Sequence, residues 1–197
     1  MTHDQEIHEL GVIHGRFQVL HNDHLKYLLS GKERCQHLVV GITNAETDMI
    51  REEAADPQRS DPLANPLTYF ERYQLVRWAL LEANISHTEF TIVPFPISQP
   101  DRYHFYVPMD AVFFLSIYDD WGRKKRQYFE SLGLKTNILR EVEKEEKGIS
   151  ATDVRQRMLD GQPWQPFVPA TVADLLQRWN IPQRIRDLHA NKETREQ

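Results

Sequence analysis

One stretch of the chain, residues 15–24, concentrates the side chains whose types and spacing could do chemistry. It reads Gly-Arg-Phe-Gln-Val-Leu-His-Asn-Asp-His, so Arg16 precedes two histidines, His21 and His24, that are three positions apart. A guanidinium and two imidazoles placed together are typical of a site that binds an anion. The stretch therefore predicts phosphate chemistry.

The flanking sequence predicts how these side chains are positioned. The apolar run at residues 10–13 is typical of a short buried strand, and residues 25–29 place leucines on one face of a helix. His21 would then lie just before that helix and His24 in its first turn. Unpaired N–H groups and the helix dipole favour anions there, so we expect a strand–turn–helix joint that binds phosphate.

The same ten residues resemble the signature of the nucleotidyltransferase superfamily, G-R-[FM]-x-P-x-H-x-G-H. Two positions differ from that signature: Val19 stands where proline is usual, and Asp23 stands where the glycine between the histidines is usual. A carboxylate at position 23 could repel phosphate, help to hold Mg²⁺ or cap the helix. The sequence leaves these three roles open.

A second motif, residues 148–158, begins Gly-Ile-Ser-Ala-Thr-Asp-Val-Arg. Ser150 and Asp153 have the spacing of a helix cap, so an ordinary capped helix is one interpretation. The stretch also resembles the second signature of the same superfamily, I-S-x-T-x-[IV]-R, at the expected distance from the first. In that family, the helix start and the arginine, here Arg155, hold the phosphates of ATP.

The elements between the motifs predict an α/β fold. Apolar runs typical of strands alternate with helical patterns, at residues 10–13, 38–42, 90–94, 111–115 and 135–139. We expect a doubly wound parallel five-stranded sheet, the Rossmann-like nucleotidyltransferase fold, with C-terminal helices. The whole chain, residues 1–197, forms one domain in this interpretation, with a core at about 7–160 and a helical part at about 161–197.

Ligands of a doubly wound sheet lie beyond the carboxyl ends of its strands, so the two motifs should meet there. The resemblance then implies site residues. We expect His21, His24 and Arg16 to be catalytic, with His24 nearest the α-phosphate, and Mg²⁺ to accompany ATP. The residues expected to bind the nucleotide are Gly15, Arg16, Phe17, His24, Ser150, Thr152 and Arg155.

A third segment and the C-terminal part resemble archaeal-type nicotinamide-mononucleotide adenylyltransferases. Residues 65–72 are similar to the N-P-F-T-x-x-E-R segment of that family, and Thr68 with Glu71 also forms a capping box. The resemblance implies transfer of AMP from ATP to nicotinamide or nicotinate mononucleotide, with release of pyrophosphate in NAD biosynthesis. The residues it suggests for the acceptor are Arg72, Tyr106 and Asp119.

Composition limits the classes of partner. The chain has 24 Lys+Arg against 29 Asp+Glu, a formal net charge of −5, which argues against nucleic acid as the main partner. Cys35 is the single cysteine, so no disulfide forms within the chain, and we expect a cytoplasmic protein. No apolar run has the length needed to span a membrane, and the N-terminal residues lack the apolar segment of a leader peptide. The family implies a homo-oligomer.

Several alternatives stay open. His21, His24, Asp23 and His14 could form a metal site, and the chain could be a nucleotide-binding sensor or scaffold with weakened catalysis. The superfamily also contains cytidylyltransferases and pantetheine-phosphate adenylyltransferases. P-loop and dinucleotide glycine motifs are absent from the sequence. Residues 43–65 predict either a functional lid or a solvated insertion, and the basic run 124–126 predicts a solvated helix face.

Overall fold

The computed structural model describes residues 7–45, 61–142 and 148–196. Most of the predicted lid or insertion, residues 46–60, lies outside the described residues. So does the greater part of the charged run before the second motif, residues 143–147.

Five parallel strands form one sheet in the order β3-β2-β1-β4-β5. The strands are β1 (His8–Gly15), β2 (Cys35–Thr43), β3 (Phe90–Phe95), β4 (Val112–Ile117) and β5 (Lys135–Glu141). An α-helix separates consecutive strands except for β3 and β4, which a short 3₁₀ helix connects, and the strand order reverses between β1 and β4. This confirms the predicted doubly wound sheet, and it puts the switch point at the end of the strand that carries the first motif.

Six α-helices surround the sheet in the described residues. They are α1 (Asn22–Lys32), α2 (Tyr69–Glu82), α3 (Asp120–Ser131), α4 (Ala151–Leu159), α5 (Ala170–Arg178) and α6 (Ile181–Glu196). Short 3₁₀ turns at Pro100–Phe105 and Gln165–Phe167 complete the connections. None of the helices in the described part of the chain has both the length and the hydropathy that a bilayer crossing requires.

The two faces of the sheet have separate hydrophobic cores. Successive side chains of a strand point to opposite faces, so Ile13 joins one core while its neighbour Val12 joins the other. The first core packs α1, α2, α4, α5 and α6 on the sheet, and the second packs α3 and the turn at Pro100–Phe105. The starts of α1 and α4 therefore lie on one side of the sheet edge, and α3 lies on the other.

Local sequence signals account for two helix starts. Thr68 begins α2 with a capping box to Glu71, and Ser150 begins α4 with a capping box to Asp153. Each box satisfies two backbone N–H groups that a helix start otherwise leaves unpaired. Both predicted caps are confirmed.

Two local predictions are wrong. Thr171 and Asp174 predict the cap of α5, but the helix begins at Ala170 and the Glu82 carboxylate accepts the N–H groups of Ala170 (3.2 Å) and Thr171 (2.9 Å). Glu82, which is 89 positions from Thr171 in the chain, thus caps the start of α5 in place of a neighbouring residue. The helical pattern at residues 123–132 predicts that Tyr128 and Phe129 both point inward, yet of the two only Phe129 is buried, and Tyr128 is 44% exposed.

Candidate active site

A cleft of about 350 Å³ opens at the carboxyl ends of β1 and β4. Both sequence motifs contribute to its walls, together with the residues that follow β4 and the first turns of α3. The lining residues used below are His14, Gly15, Arg16, Phe17, Gln18, His21, Asp23, His24, Tyr118, Asp119, Trp121, Lys125, Arg140, Ser150, Thr152 and Arg155. The predicted meeting of the two motifs is confirmed.

The turn after β1 is shaped by the ring of Phe17. Phe17 is buried and has a positive φ of 52°, a backbone conformation that is uncommon for a bulky residue. Its ring covers Gly15, where a Cβ would lie 2.9 Å from the ring carbon Cζ. Glycine at position 15 therefore lets the aromatic ring fold back over the end of the strand, which turns the chain toward α1.

His21 caps α1. Its Nδ1 accepts a hydrogen bond from the backbone N–H of His24 at 3.3 Å, so Nδ1 carries no proton. A neutral imidazole in this position holds its proton on Nε2, which makes that nitrogen a hydrogen-bond donor. His21 is buried, and it lines the cleft. The residue thus builds the helix start and can also donate a hydrogen bond.

The His24 ring stacks on His21, with 3.7 Å between the ring centroids. It also meets the ring of Phe17 edge-on at 5.2 Å. These contacts hold two imidazoles side by side at the start of one helix, where the backbone N–H groups favour negative charge. The arrangement suits the oxygens of a phosphate.

The second motif supplies the other helix start. The Ser150 N–H and hydroxyl donate to the Asp153 carboxylate at 2.8 and 2.6 Å, which lowers the pKa of Asp153. Thr152 follows in the first turn of α4, and its hydroxyl accepts a hydrogen bond from Arg155 at 3.1 Å. The capping box orders the turn, and Ser150 and Thr152 line the cleft.

Arg155 joins the two motifs directly. Its guanidinium donates a hydrogen bond to the backbone carbonyl of Gln18, which is 137 residues away in the chain. Burial, followed by the neighbouring positive charge of Arg16, lowers the pKa of Arg155 to about 10. Two guanidiniums close enough to repel each other beside two helix starts form a strongly electropositive site, as a polyanionic ligand requires.

Asp23 contacts the turn before α4. The cap of α1 is His21, so Asp23 is not the cap; its carboxylate pairs with Lys26 at 3.1 Å in the first turn. A Cβ added to Gly148 would overlap the Asp23 carboxylate, and Gly148 has a positive φ of 42°. Asp23 and Gly148 therefore pack the two helix starts against each other.

Two of the three residues expected to bind the acceptor, Arg72 and Tyr106, are not among the residues that line this cleft. Arg72 is buried, and its guanidinium donates to the backbone carbonyls of Arg16 (3.1 Å), Thr43 (2.7 Å) and Asn44 (2.6 Å). Burial lowers its pKa to about 10. Arg72 thus ties the ends of β1 and β2 together beside the cleft that Arg16 lines, and its contact with an acceptor stays a prediction.

Tyr106 packs against the second core beside the turn at Pro100–Phe105 and is not among the residues that line the cleft, so its role at the acceptor stays a prediction. Asp119 does line the cleft, where its carboxylate caps α3 by accepting the Gly122 N–H at 2.9 Å. Of the three expected acceptor residues, Asp119 is the one that lines the cleft among the described residues.

Sequence reasoning missed other residues of the site. Gln18 is buried, and its amide exchanges two hydrogen bonds of 2.9 Å with the backbone of Leu67, which fixes the first motif to the segment before α2. Lys125 was assigned to a solvated helix face, yet it lines the cleft, as does Arg140 of β5. Helical spacing cannot distinguish a cleft from solvent, so no sequence signal marked Lys125.

The alternative of a metal site finds no support in the described residues, which contain no group of three or more His, Cys, Asp and Glu side chains arranged to hold a metal ion. The Nδ1 of His21 is used by the helix cap, and Asp23 is paired with Lys26.

Comparison with known proteins identifies the class. The chain belongs to the cytidylyltransferase-like family, whose model matches residues 12–157. It is thus a nucleotidyltransferase, and the family implies a nucleoside triphosphate and a phosphate-bearing acceptor as substrates.

Two curated relatives span nearly the whole chain. The phosphonoformate cytidylyltransferase of Streptomyces viridochromogenes is 47% identical over 182 residues, which cover 92% of this chain and 98% of the relative. The nicotinamide-nucleotide adenylyltransferase of Thermococcus kodakarensis is 27% identical, over 94% of this chain and 92% of the relative.

Solved structures share the fold. A bifunctional NMN adenylyltransferase/ADP ribose pyrophosphatase from Francisella tularensis superposes with a TM-score of 0.68 at 17% identity, over 95% of this chain and 54% of that chain. This chain therefore spans about half of the bifunctional protein. A nicotinate-nucleotide adenylyltransferase from Vibrio parahaemolyticus, itself assigned only provisionally, gives a TM-score of 0.54 at 13% identity, over 89% and 96% of the two chains.

Proposed function

We propose that the protein transfers a cytidylyl group from CTP to a small phosphonate or phosphate acceptor of the phosphonoformate kind. The observation that carries the proposal is the contact between Arg155 and the Gln18 carbonyl, which closes two helix starts on one electropositive cleft. The cytidylyltransferase that is 47% identical over 92% of the chain supports the choice of CTP and of the acceptor.

The reaction is a displacement at the α-phosphorus. An oxygen of the acceptor forms a bond to that phosphorus, the bond to the bridging oxygen of the β-phosphate breaks, and its electron pair leaves with pyrophosphate. Neither reactant has to pass through a covalent enzyme intermediate. Catalysis then comes from alignment of the reactants and from stabilisation of charge on the in-line transition state.

The geometry suggests how the residues divide this task. His21 and His24 donate hydrogen bonds to the triphosphate, with His24 nearest the α-phosphate. Ser150, Thr152 and Arg155 hold the β- and γ-phosphates at the start of α4. Arg16 orients the triphosphate or the attacking oxygen.

Mg²⁺ is expected to enter with the nucleotide and to neutralise phosphate charge. Among the described residues, the carboxylates of Asp23 and Asp119 line the cleft, and carboxylate oxygens suit this ion. Both are already engaged, Asp23 with Lys26 and Asp119 with the Gly122 N–H. We therefore expect the triphosphate oxygens to supply most of the ligands.

A second candidate is transfer of AMP from ATP to nicotinamide mononucleotide, and the archaeal relatives at 25–29% identity favour it. The positions of Arg72 and Tyr106 weigh against it, because these residues, chosen for that acceptor, do not line the cleft.

The test is a panel of CTP and ATP, each with phosphonoformate, nicotinamide mononucleotide or pantetheine phosphate, scored for pyrophosphate release. We expect turnover with CTP and phosphonoformate to exceed every other pair. Faster turnover with ATP and nicotinamide mononucleotide would overturn the proposal in favour of the second candidate. Binding of CTP without turnover on any acceptor would identify a sensor. The His24→Ala variant serves as the control and gives the background rate of pyrophosphate release.

A further inference from the structure

His14 of β1 is a buried histidine in the wall of the cleft. It is 7% exposed, and its ring stacks on Phe95 with 5.5 Å between centroids and 15° between planes. The ring of Phe129 meets it edge-on at 5.4 Å. These two aromatic rings fix the plane of the imidazole, so its nitrogen atoms have defined directions.

The Nε2 atom of His14 has no hydrogen-bond partner among the described residues. The interaction of the ring with its own backbone raises the pKa slightly, as donation from Nδ1 would, and the tautomer with the proton on Nδ1 makes Nε2 an acceptor. Burial, reinforced by the positive charge of Lys125, lowers the pKa of His14 to about 3, so the ring is neutral. A buried acceptor without a partner is costly, and it calls for a ligand.

Lys125 lies on the same side of the cleft as His14. Its ammonium lies 5.1 Å from the ring centroid of Trp121, one turn earlier in α3, and Trp121 also lines the cleft. The residue is close enough to His14 to disfavour a second positive charge there. This side of the cleft therefore brings a cation close to a neutral acceptor atom.

The geometry of an in-line displacement indicates which of the two substrates lies next to His14 and Lys125. The attacking oxygen approaches the α-phosphorus from the side opposite the leaving pyrophosphate. The pyrophosphate is assigned to the start of α4, which packs on the face of the sheet that carries α1. His14 packs against Phe129 of α3, on the opposite face. The acceptor should thus lie near His14 and Lys125.

We propose that His14 and Lys125 form the acceptor subsite. Lys125 binds a second anionic group of a small phosphonate or phosphate acceptor, and His14 Nε2 accepts a hydrogen bond from a protonated oxygen of that acceptor. The cation favours an anionic acceptor over a neutral nucleobase. This inference rests on the proposed function, because it takes the triphosphate to lie at α1 and α4.

The test measures the KM for phosphonoformate and the KM for CTP separately for each variant, in the pyrophosphate-release assay. Lys125→Met keeps most of the side-chain stem and removes the charge, and we expect it to raise the KM for phosphonoformate about 10–100-fold, as for loss of one charge-assisted hydrogen bond. The KM for CTP should change less than about twofold. Lys124→Met, on the exposed neighbour that does not line the cleft, is the matched control and should change neither.

Two variants test His14. His14→Phe keeps an aromatic ring between Phe95 and Phe129 but removes the acceptor atom, and it should raise the KM for phosphonoformate about 10-fold. His14→Gln offers an amide oxygen near the place of Nε2 and should recover part of the loss. Thermal unfolding of each variant separates a binding defect from a folding defect.

The inference is overturned if the variants leave the acceptor KM unchanged, or if they shift the KM for CTP or the preference for CTP over ATP to a similar extent. Failure of the proposed function looks different, because wild-type protein would then release no pyrophosphate from CTP and phosphonoformate. In that case the same variants are measured with the substrate pair that the wild-type protein turns over. A raised KM for the acceptor with an unchanged KM for the nucleotide supports the inference, and any other result overturns it.

Discussion

His21 and His24 have different tasks although the sequence presents them as a pair. His21 accepts the backbone N–H of His24 and so builds the start of α1. The side chain of His24 has no part in that cap, and its ring stacks on His21 beside the cleft. Loss of the His24 side chain should therefore affect chemistry with little effect on folding, whereas loss of His21 should affect both.

We predict that His24→Ala lowers kcat about 10²–10³-fold, the usual loss when one donor to a transition-state oxygen is removed. The midpoint of thermal unfolding should stay close to that of the wild-type protein. His37→Ala is the control, since His37 bonds to Thr88 and Thr91 and does not line the cleft. Near-normal turnover of His24→Ala would show that the α-phosphate lies elsewhere.

A second prediction concerns the contact between Asp23 and Gly148. Gly148→Ala should raise the KM for the triphosphate and destabilise the fold by about 1–3 kcal/mol, because alanine disfavours a positive φ and its Cβ would overlap the Asp23 carboxylate. Asp23→Gly in the same chain removes the overlap and should restore part of both losses. A double variant as impaired as Gly148→Ala alone would mean that the two residues do not interact.

The elements around the cleft are joined by contacts between distant parts of the chain. Arg184 of α6 donates two hydrogen bonds of 2.8 Å to the Glu71 carboxylate at the start of α2, and a third to the Pro66 carbonyl at 3.1 Å. Gln18 holds the backbone of Leu67 in the same segment. The C-terminal helix thus supports the segment on which the first motif rests.

We predict that Arg184→Met lowers the free energy of unfolding by about 1–3 kcal/mol, since it leaves a partly buried carboxylate without its guanidinium. Arg178→Met, on an exposed arginine of the neighbouring helix α5, should change stability by less than about 0.5 kcal/mol. Denaturant unfolding measures both. Equal stabilities of the two variants would show that the ion pair contributes nothing measurable.

The same ion pair predicts a dependence on pH. Burial raises the pKa of Glu71, but the hydrogen bonds from Arg184 and the Thr68 N–H outweigh it, so the pKa lies below its ordinary value of 4.5. A lowered pKa stabilises the folded state fully above the unfolded value and loses that effect as the pH falls through the folded value. The stability difference between wild-type protein and Arg184→Met should therefore be constant near neutrality and shrink below pH 4.5. A difference that grows in acid would contradict this account.

Signals that operate within a few residues made most elements predictable. Continuous apolar runs such as residues 111–115 predict strands that are buried on both faces. The capping boxes at Thr68 and Ser150 predict where two helices begin. Glu82 caps α5 from a different part of the chain, and no local pattern reports such a contact. Thr171 therefore led to a wrong cap.

In the candidate site as well, local motifs predict some of the residues and leave others unpredicted. The two motifs identify the residues at the helix starts, because a motif records a local geometry around phosphate. The cleft lining also includes Lys125, Arg140 and His14, which come from separate elements and share no spacing. Tyr106 was chosen by position in a resembled family, and the path of the chain at Pro100–Phe105 puts it in the second core instead.

At the carboxyl edge of the sheet, the two faces of the molecule offer different chemical groups to the cleft. The helix starts of α1 and α4 supply backbone donors, imidazoles and two guanidiniums from one face, and α3 supplies Lys125 from the other. The strand order reverses between β1 and β4, which opens the cleft between these sides. A triphosphate on the first side and a small anion on the second would meet at the α-phosphorus.

The most direct measurement is the position of CTP in a crystal of the protein grown with the nucleotide and Mg²⁺. We predict that one triphosphate accepts hydrogen bonds of about 2.7–3.2 Å from His24 and, at the same time, from the start of α4 near Thr152. A triphosphate that contacts only one of the two helix starts, or that lies outside the cleft, would contradict the account.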